Sequence, residues 1–195
     1  MITSVVKDNS DNTENFTGIH PVKFVLWLLI VASVMLFAAF TSAYIVRRGE
    51  GNWLIFDLPS MFIFTTIAIG VGSVFMQMAY QAAKKDELEN LKKYLFVTLF
   101  AGLFFAAGQF IGWTQLVANN IHLVGNPSES FVYIISGLHL VHMFAAIIFV
   151  VVIIFKTYNL TIHRKNLLPI NLCTTLWHFL GAMWMYLYFF LLLNR

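Results

Sequence analysis

Three histidines are the only side chains in the long apolar stretches of this 195-residue sequence that titrate near neutral pH. His139 and His142 lie three residues apart, so they share one face of a helix, and His178 lies in the next apolar stretch. Imidazole nitrogens can bind a metal or a haem iron, or carry a proton. Because ionisable residues are rare at membrane depth, these three are the first candidates for function.

A structural role is the simpler interpretation of the same histidines. A neutral histidine between helices can donate to a backbone carbonyl or pair with another side chain. No further residue with metal-ligand spacing completes a site around His139 and His142, and no apolar stretch contains a carboxylate. We therefore favour structural hydrogen bonding over metal or haem ligation, with lipid-headgroup contact and proton-linked roles as further alternatives.

The sequence carries no motif of the common enzyme classes. It has no Walker loop, dinucleotide fingerprint, nucleophile elbow or zinc-protease motif. Proton pumps and ion-coupled transporters usually keep Asp or Glu along their path, and this chain has none within its apolar stretches. We predict a catalytically silent membrane subunit that holds no cofactor or metal of its own and works with partners.

The apolar stretches themselves predict the fold. Hydrophobic residues make up 59% of the sequence and charged residues 11%, whereas a soluble domain is roughly a quarter charged. Five uncharged runs of about twenty residues or more match the ~30 Å hydrocarbon thickness as helices. These runs are Phe24–Val46, Met61–Tyr80, Tyr94–Ala118, Phe131–Phe155 and Leu172–Leu193. We predict an all-α, polytopic transmembrane bundle, with a polar tail at residues 1–20 and one membrane domain over residues 21–195.

The basic residues predict how the helices are oriented. With loops assigned alternately to two sides, three of the twelve basic residues, Arg47, Arg48 and Arg195, fall on one side. The other nine share the opposite side: Lys7, Lys23, Lys84, Lys85, Lys92, Lys93, Lys156, Arg164 and Lys165. Because positive charge stays on the cytoplasmic side, we predict a cytoplasmic N-terminus and a periplasmic C-terminus. The sequence offers no folded basic surface with interleaved aromatics, so nucleic acid is not an expected partner.

Small residues mark places where two helices can approach closely. Gly108 and Gly112 form a G-x-x-x-G arrangement in the third stretch, and Gly70, Gly72 and Ser73 cluster in the second. In lipid, close approach lets dispersion and weak hydrogen bonds drive helix association. The pattern therefore predicts helix packing at these glycines.

Two motifs on consecutive stretches are similar to the paired signature of subunit III of the haem–copper oxidases, of which cytochrome c oxidase is the best-known member. The first motif is Tyr133 followed by Gly137-Leu138-His139-Leu140-Val141-His142, and the second is Leu176-Trp177-His178-Phe179 followed by Trp184. Gln109 also lies where the family's third shared helix usually carries Gln. The likeness runs from about His20 to the C-terminus and resembles the short, five-helix bacterial form.

The resemblance implies an accessory subunit without redox centres that flanks the catalytic subunit I. Haem and copper are then expected in partner subunits, together with bound phospholipid in this chain. The complex would reduce oxygen to water with electrons from cytochrome c or quinol and pump protons, in a bacterial inner membrane. The residues implied to pack helices, or to contact lipid or other subunits, are His139, His142, Trp177, His178, Trp184 and Gln109.

The chain departs from the family pattern at acidic positions. Ser33 stands where the family usually has Glu, Gly112 where Glu precedes an aromatic residue, and Gly181 where Asp commonly follows Trp-His-Phe. The roles of those acids therefore do not carry over to this chain.

Three alternatives remain open from the sequence. One is the subunit III-like partner of a nitric oxide reductase, which is also a short form. A second is a free-standing b-type cytochrome with His139, His142 or His178 as axial ligands. A third is an independent transporter, which broken helices with polar sites near the midplane would favour.

Overall fold

The computed structural model of the chain describes residues 20–160, 162 and 166–194, and five long α-helices make up its secondary structure. The helices are α1 (Pro21–Gly49), α2 (Met61–Lys84), α3 (Leu88–Ala118), α4 (Pro127–Tyr158) and α5 (Leu168–Asn194). All five are long and apolar enough to cross a membrane, and the described residues contain no strand. The predicted fold class is thereby confirmed. The polar tail predicted at residues 1–20 lies outside the described residues, except for His20.

Several helices extend beyond the predicted spans. Hydropathy marks only the part of a helix that lies in hydrocarbon, whereas the helix itself continues until its backbone groups are capped. At the start of α4, Asn126 accepts from the backbone of Ser128 at 3.1 Å, and Glu129 completes a capping box. Pro127 occupies the first turn, where its missing N–H costs nothing. As a result α4 starts four residues before the predicted Phe131.

Four helices form a closed ring, with the fifth outside it. In the order α2, α3, α4 and α5, each helix contacts the next, and α5 returns to α2. The first helix lies against α4 and α5 only, through one face: Ile30, Ser33, Phe37, Thr41 and Tyr44. Leu26 and Phe40 flank this face and are partly buried against the core, and most other α1 side chains are exposed.

The closest helix contact joins α2 to α3 at the predicted glycines. A Cβ atom added at Gly108 would overlap the methyl group of Thr65, and one added at Gly112 would overlap the Phe62 ring. A Cβ atom at Gly70, by contrast, would meet no heavy atom within 4 Å among the described residues. The predicted packing role is thus confirmed for Gly108 and Gly112, while Gly70 faces away from the neighbouring helices.

The two ends of the bundle differ in charge. We name the end that holds the α2–α3 turn the basic end, and there Lys84 lies over the Tyr80 ring and Lys92 over the Tyr158 ring, each at 4.5 Å. At the opposite end, the Tyr44 hydroxyl donates to the backbone carbonyl of Asn194 at 3.0 Å. The alternation of loops assumed in the orientation prediction therefore matches the fold, and the cytoplasmic assignment itself stays a prediction.

The glycine contact leads to a stability prediction. We expect Gly108→Ala to lower the free energy of unfolding by about 1–3 kcal/mol, because turning the Thr65 methyl group away would disturb the hydrogen bonds of its hydroxyl with Phe62 and Gln109. The matched control is Gly70→Ala, which should leave stability unchanged or slightly raised. Thermal unfolding of both purified variants in detergent measures the difference. Equal melting temperatures for the two variants would contradict the assigned contact.

Candidate functional site

His139 lies at the centre of the bundle and is fully buried, with 0% of its surface exposed. Three aromatic rings surround it, from α1, α3 and α5: Phe37 at 6.2 Å, Phe105 at 5.6 Å and Trp184 at 5.1 Å between ring centroids. We name His139 and these three rings the His139 core. Neither ring nitrogen of His139 has a hydrogen-bond partner among the described residues. The tilted and edge-on ring contacts supply weak polar interactions in place of hydrogen bonds.

A threonine pair on α2 connects the His139 core to its neighbours. The indole of Trp184 donates to the Thr66 hydroxyl at 2.9 Å, and the side-chain amide of Gln109 donates to the Thr65 hydroxyl at 3.3 Å. Both threonine hydroxyls in turn donate to the backbone carbonyl of Phe62, at 3.0 and 2.7 Å. Through this pair, α2 forms side-chain hydrogen bonds with both α3 and α5.

Trp177 fills a space left by two glycines. A Cβ atom added at Gly72 or at Gly102 would lie 3.0 Å from the Trp177 ring, so the indole reaches between α2 and α3. Only 1% of Trp177 is exposed, and its indole nitrogen has no partner among the described residues. This side chain therefore acts through its shape, by holding α5 against the α2–α3 pair.

The remaining two histidines lie on the sides of the bundle. His142 is half-buried beside Phe37, with 5.5 Å between the ring centroids, and its Nδ1 lies 2.8 Å from the carbonyl oxygen of Leu138. His178 is half-buried between α5 and α2, where its Nε2 lies 3.2 Å from Oε1 of Gln77.

The three histidines do not converge on one position. His178 and Trp184 are six residues apart, which places their side chains about 120° apart around the α5 axis, so His178 does not face the His139 core. No group of three or more His, Cys, Asp or Glu residues in the described part of the chain could hold a metal ion. The hydrogen bonding expected of His139 is therefore not found among the described residues, where its imidazole makes ring contacts instead, whereas His142 and His178 each have one polar contact.

The three positions at which the resemblance implied acidic residues are buried or closely packed. At Gly112 the Phe62 ring takes the space that a side chain would need. At Gly181 an added Cβ would lie 3.1 Å from Ile69 Cγ2 and 3.2 Å from the Ser73 hydroxyl. Ser33 is buried and donates to the Leu29 carbonyl at 2.8 Å. Gly112, Gly181 and Ser33 therefore each fit their surroundings, and none of the contacts described at these positions is with a charged group.

Sequence reasoning missed several polar contacts that fix the helices. Trp113 donates to the Ser136 hydroxyl at 3.0 Å, and the Thr41 and Tyr186 hydroxyls lie 3.1 Å apart. Sequence reasoning also missed the capping box at the start of α4. Of the missed features, this one had a local sequence signal, because the spacing in Asn-Pro-Ser-Glu is typical of a capping box. The other contacts join distant parts of the chain and depend on the tertiary fold.

A groove of about 830 Å³ lies between α1 and α4 at the opposite end from the lysines. Its walls combine apolar and small residues with polar groups near the rim: Ala39, Ser42, Ala43, Val46, Arg47, Glu50, Gly125, Pro127, Ser130, Phe131 and Ile134. The Arg47 guanidinium forms an ion pair with the Glu50 carboxylate. The groove is therefore amphipathic, with its charge near the membrane surface and its apolar wall within the hydrocarbon.

Comparison with known proteins gives consistent matches. A sequence model of the family described as cytochrome c oxidase subunit III matches residues 55–194, well over half of the chain. The cytochrome bo(3) ubiquinol oxidase subunit 3 of Buchnera aphidicola subsp. Schizaphis graminum (strain Sg) is 26% identical over 176 residues, 88% of this chain and 93% of that protein. The probable cytochrome c oxidase subunit 3 of Nocardia farcinica (strain IFM 10152) is 28% identical over 169 residues, 84% of this chain and 82% of that protein. The cytochrome c oxidase subunit 3 of Thermostichus vulcanus is 24% identical over 183 residues, 87% and 86% of the two chains.

The surroundings of His139 predict that this buried position tolerates substitution by another aromatic residue. We expect His139→Phe to fold with a melting temperature close to that of the unsubstituted chain, because a ring of similar shape replaces two nitrogens that have no partner. His139→Asp should destabilise the chain strongly, because it removes the ring contacts and buries a polar group. Thermal unfolding in detergent compares the variants. If His139→Phe were as unstable as His139→Asp, an essential partner of the imidazole would be implied.

Proposed function

The chain belongs to the cytochrome c oxidase subunit III family, and on that basis we propose that it is an accessory membrane subunit of a haem–copper terminal oxidase. The family resemblance predicted from the two histidine motifs is thereby confirmed. The matched relatives carry the names of subunit 3 of cytochrome c oxidases and of a ubiquinol oxidase. The proposal is the part common to both: a subunit of an oxidoreductase complex in the membrane.

We propose further that the redox centres lie outside this chain, with haem and copper in the partner subunit I. The packing of the His139 core supports this proposal, since aromatic rings from three helices surround the most buried histidine. His142 and His178 point to different sides of the bundle, which is a poor arrangement for joint ligation. The role left to this chain is to bind and support the catalytic subunit during oxygen reduction and proton pumping.

A bound phospholipid is the second part of the proposal, at the groove between α1 and α4. The rim offers the Arg47 guanidinium to an anionic headgroup. Below them, Ala39, Ala43 and Ile134 offer an apolar wall to an acyl chain. Arg47 pairs with Glu50, and a headgroup phosphate would compete for the same guanidinium.

The last part of the proposal is that the basic end of the bundle faces the cytoplasm and that the protein lies in a bacterial cytoplasmic membrane. The described lysines of the basic end, Lys84, Lys85, Lys92 and Lys93, support a cytoplasmic position for that end. A bacterial cytoplasmic membrane agrees with the organisms of the matched relatives, among them Nocardia farcinica.

Purification through a tag on this chain tests the accessory role. We expect mild-detergent extracts of native membranes to yield a large haem–copper subunit together with haem bands in the reduced-minus-oxidised spectrum. The bands should be lost when this chain is stripped from the complex and re-purified alone. The control is a triple variant, His139→Phe, His142→Phe and His178→Phe, expressed and purified alone. A haem that stays with the isolated unsubstituted chain, and disappears in the triple variant, would overturn the proposal.

Lipid analysis tests the groove. We expect Arg47→Gln to reduce the anionic phospholipid retained per chain after detergent washing, because the charge at the rim is removed. The matched control is Arg48→Gln, since Arg48 lies outside the groove and donates instead to the Asn194 side chain at 3.3 Å. Mass spectrometry of extracted lipid gives the ratio. Equal retention by the two variants would count against a headgroup site at Arg47.

A further inference from the structure

The groove between α1 and α4 is crossed at its headgroup end by the segment of chain that leaves α1. Glu50 caps α1 and lines the groove, and the residues that follow it reach the start of α4. There they bond to Asn126, which stands between two groove-lining residues, Gly125 and Pro127. We name residues 51–54 the strap. The strap therefore joins the two walls of the groove at the membrane surface.

One side chain, that of Asn126, fastens the strap to α4. Its amide nitrogen donates to the backbone carbonyl of Asn52 at 2.8 Å, and its Oδ1 atom accepts from the backbone of Leu54 at 3.4 Å. The same Oδ1 atom accepts from the backbone of Ser128 at 3.1 Å, as the N-cap of α4. Asn126 thus has two roles, one in starting α4 and one in holding the strap.

The Trp53 ring, in the middle of the strap, contacts both walls of the groove. Its centroid lies 4.6 Å from that of Tyr44 on α1 and 6.3 Å from that of Phe131 on α4. Phe131 itself lines the groove. Displacement of the strap would therefore remove an aromatic contact between α1 and α4 as well as the two bonds to Asn126.

The backbone of the strap is held in an unfavourable conformation. Gly51 has a φ of +86° and Asn52 a φ of +53°, both in the left-handed region that most residues avoid. Such conformations persist where surrounding contacts maintain them. Here those contacts come from Asn126 and from the Trp53 ring, because residues 52–59 form no helix or strand. Loss of the bonds to Asn126 would thus favour movement of the strap.

The far end of the same connection is fixed. Phe56 and Leu58, which follow the strap, are half-buried and pack against the hydrophobic core. Pro59 is buried just before the start of α2. Movement would therefore be limited to the residues beside the groove.

The lipid site and the strap meet at Glu50. This residue directly precedes Gly51, and its carboxylate pairs with the Arg47 guanidinium. A headgroup phosphate on Arg47 would release the Glu50 side chain at the point where the strap begins. Lipid binding and the position of the strap are thus physically linked, and each must influence the other.

We propose that the strap is a gate for the groove between α1 and α4: fastened to Asn126 it retains a bound phospholipid, and when released it lets that lipid exchange with the bilayer. This inference rests on the lipid site of the proposed function and adds its regulation. Because α1 lies against α4 and α5 only, and through one face, a connection from its end to α4 controls how far the groove opens. Leu54 and Ile55 are exposed apolar side chains, which suit a segment in contact with lipid.

An Asn126→Ser variant tests the gate. Serine caps a helix about as well as asparagine, but it lacks the amide that donates to Asn52. We expect this variant to lose retained phospholipid about three- to tenfold faster during detergent washing. Mass spectrometry of lipid per chain at successive times gives the rate. Hydrogen exchange of residues 51–56 should also become faster, while that of α4 stays unchanged.

A second variant changes the strap without changing α4. At Gly51 an added Cβ atom would meet no described heavy atom within 4 Å, so Gly51→Ala acts through the left-handed φ alone. We expect it to release lipid about two- to fivefold faster. The matched control is Ser128→Ala, which removes a different hydrogen bond of Asn126, at 2.9 Å, and leaves the strap attached. It should release lipid at the rate of the unsubstituted chain.

The outcomes separate the gate from the lipid site. Equal release rates for the unsubstituted chain, Asn126→Ser and Gly51→Ala would overturn the gate, as would equally fast release by Ser128→Ala. In either case the unsubstituted chain would still retain more phospholipid than Arg47→Gln, so the lipid site itself would stand. If the unsubstituted chain retained no more phospholipid than Arg47→Gln, the proposed lipid site would be wrong, and the gate with it.

Discussion

Hydrocarbon offers no hydrogen bonds, and most of this structure follows from that constraint. Each backbone group in the membrane must be paired within its own helix, which is why the described chain consists of five long helices and short connections. Hydroxyl side chains obey the same rule by bonding carbonyls one turn back, as Ser33 and Thr157 do. Polar groups that reach another helix, such as the Trp184 indole on Thr66, then specify which helices are neighbours. The few buried polar side-chain groups without a hydrogen-bond partner among the described residues, such as the His139 imidazole, are exceptions to this rule.

Helix association in such a chain depends on shape, because burial of apolar surface gives little advantage over lipid. Large and small residues are therefore matched across the interfaces. Phe62 lies against Gly112, and Trp177 occupies the space beside Gly72 and Gly102. These contacts tie α2, α3 and α5 together around the His139 core. The first helix lacks comparable contacts, and most of its surface faces outward.

At the positions where the resemblance implied acidic residues, the residues present fit this packing. An ionised side chain at Gly112 would require the Phe62 ring to move and would place a charge among buried aromatic residues. The chain has instead a nonpolar contact at this position. At Gly181 an added Cβ atom would lie 3.1 Å from Ile69 and 3.2 Å from the Ser73 hydroxyl, so a larger side chain would be crowded there as well.

The sequence alone determined the fold class, the number of helices and the family, because uncharged runs of membrane length and the His139 and Trp177-His178 motifs are local patterns. It also predicted close packing at Gly108 and Gly112, although it could not identify Thr65 and Phe62 as the contacts. Only the tertiary structure separated the three histidines, with His139 in the core and His178 on the outer face beside Gln77. The physical reason is that hydropathy is nearly uniform around a membrane helix, so it does not show which face meets protein and which meets lipid. That choice depends on the shapes of neighbouring helices, which distant parts of the chain supply.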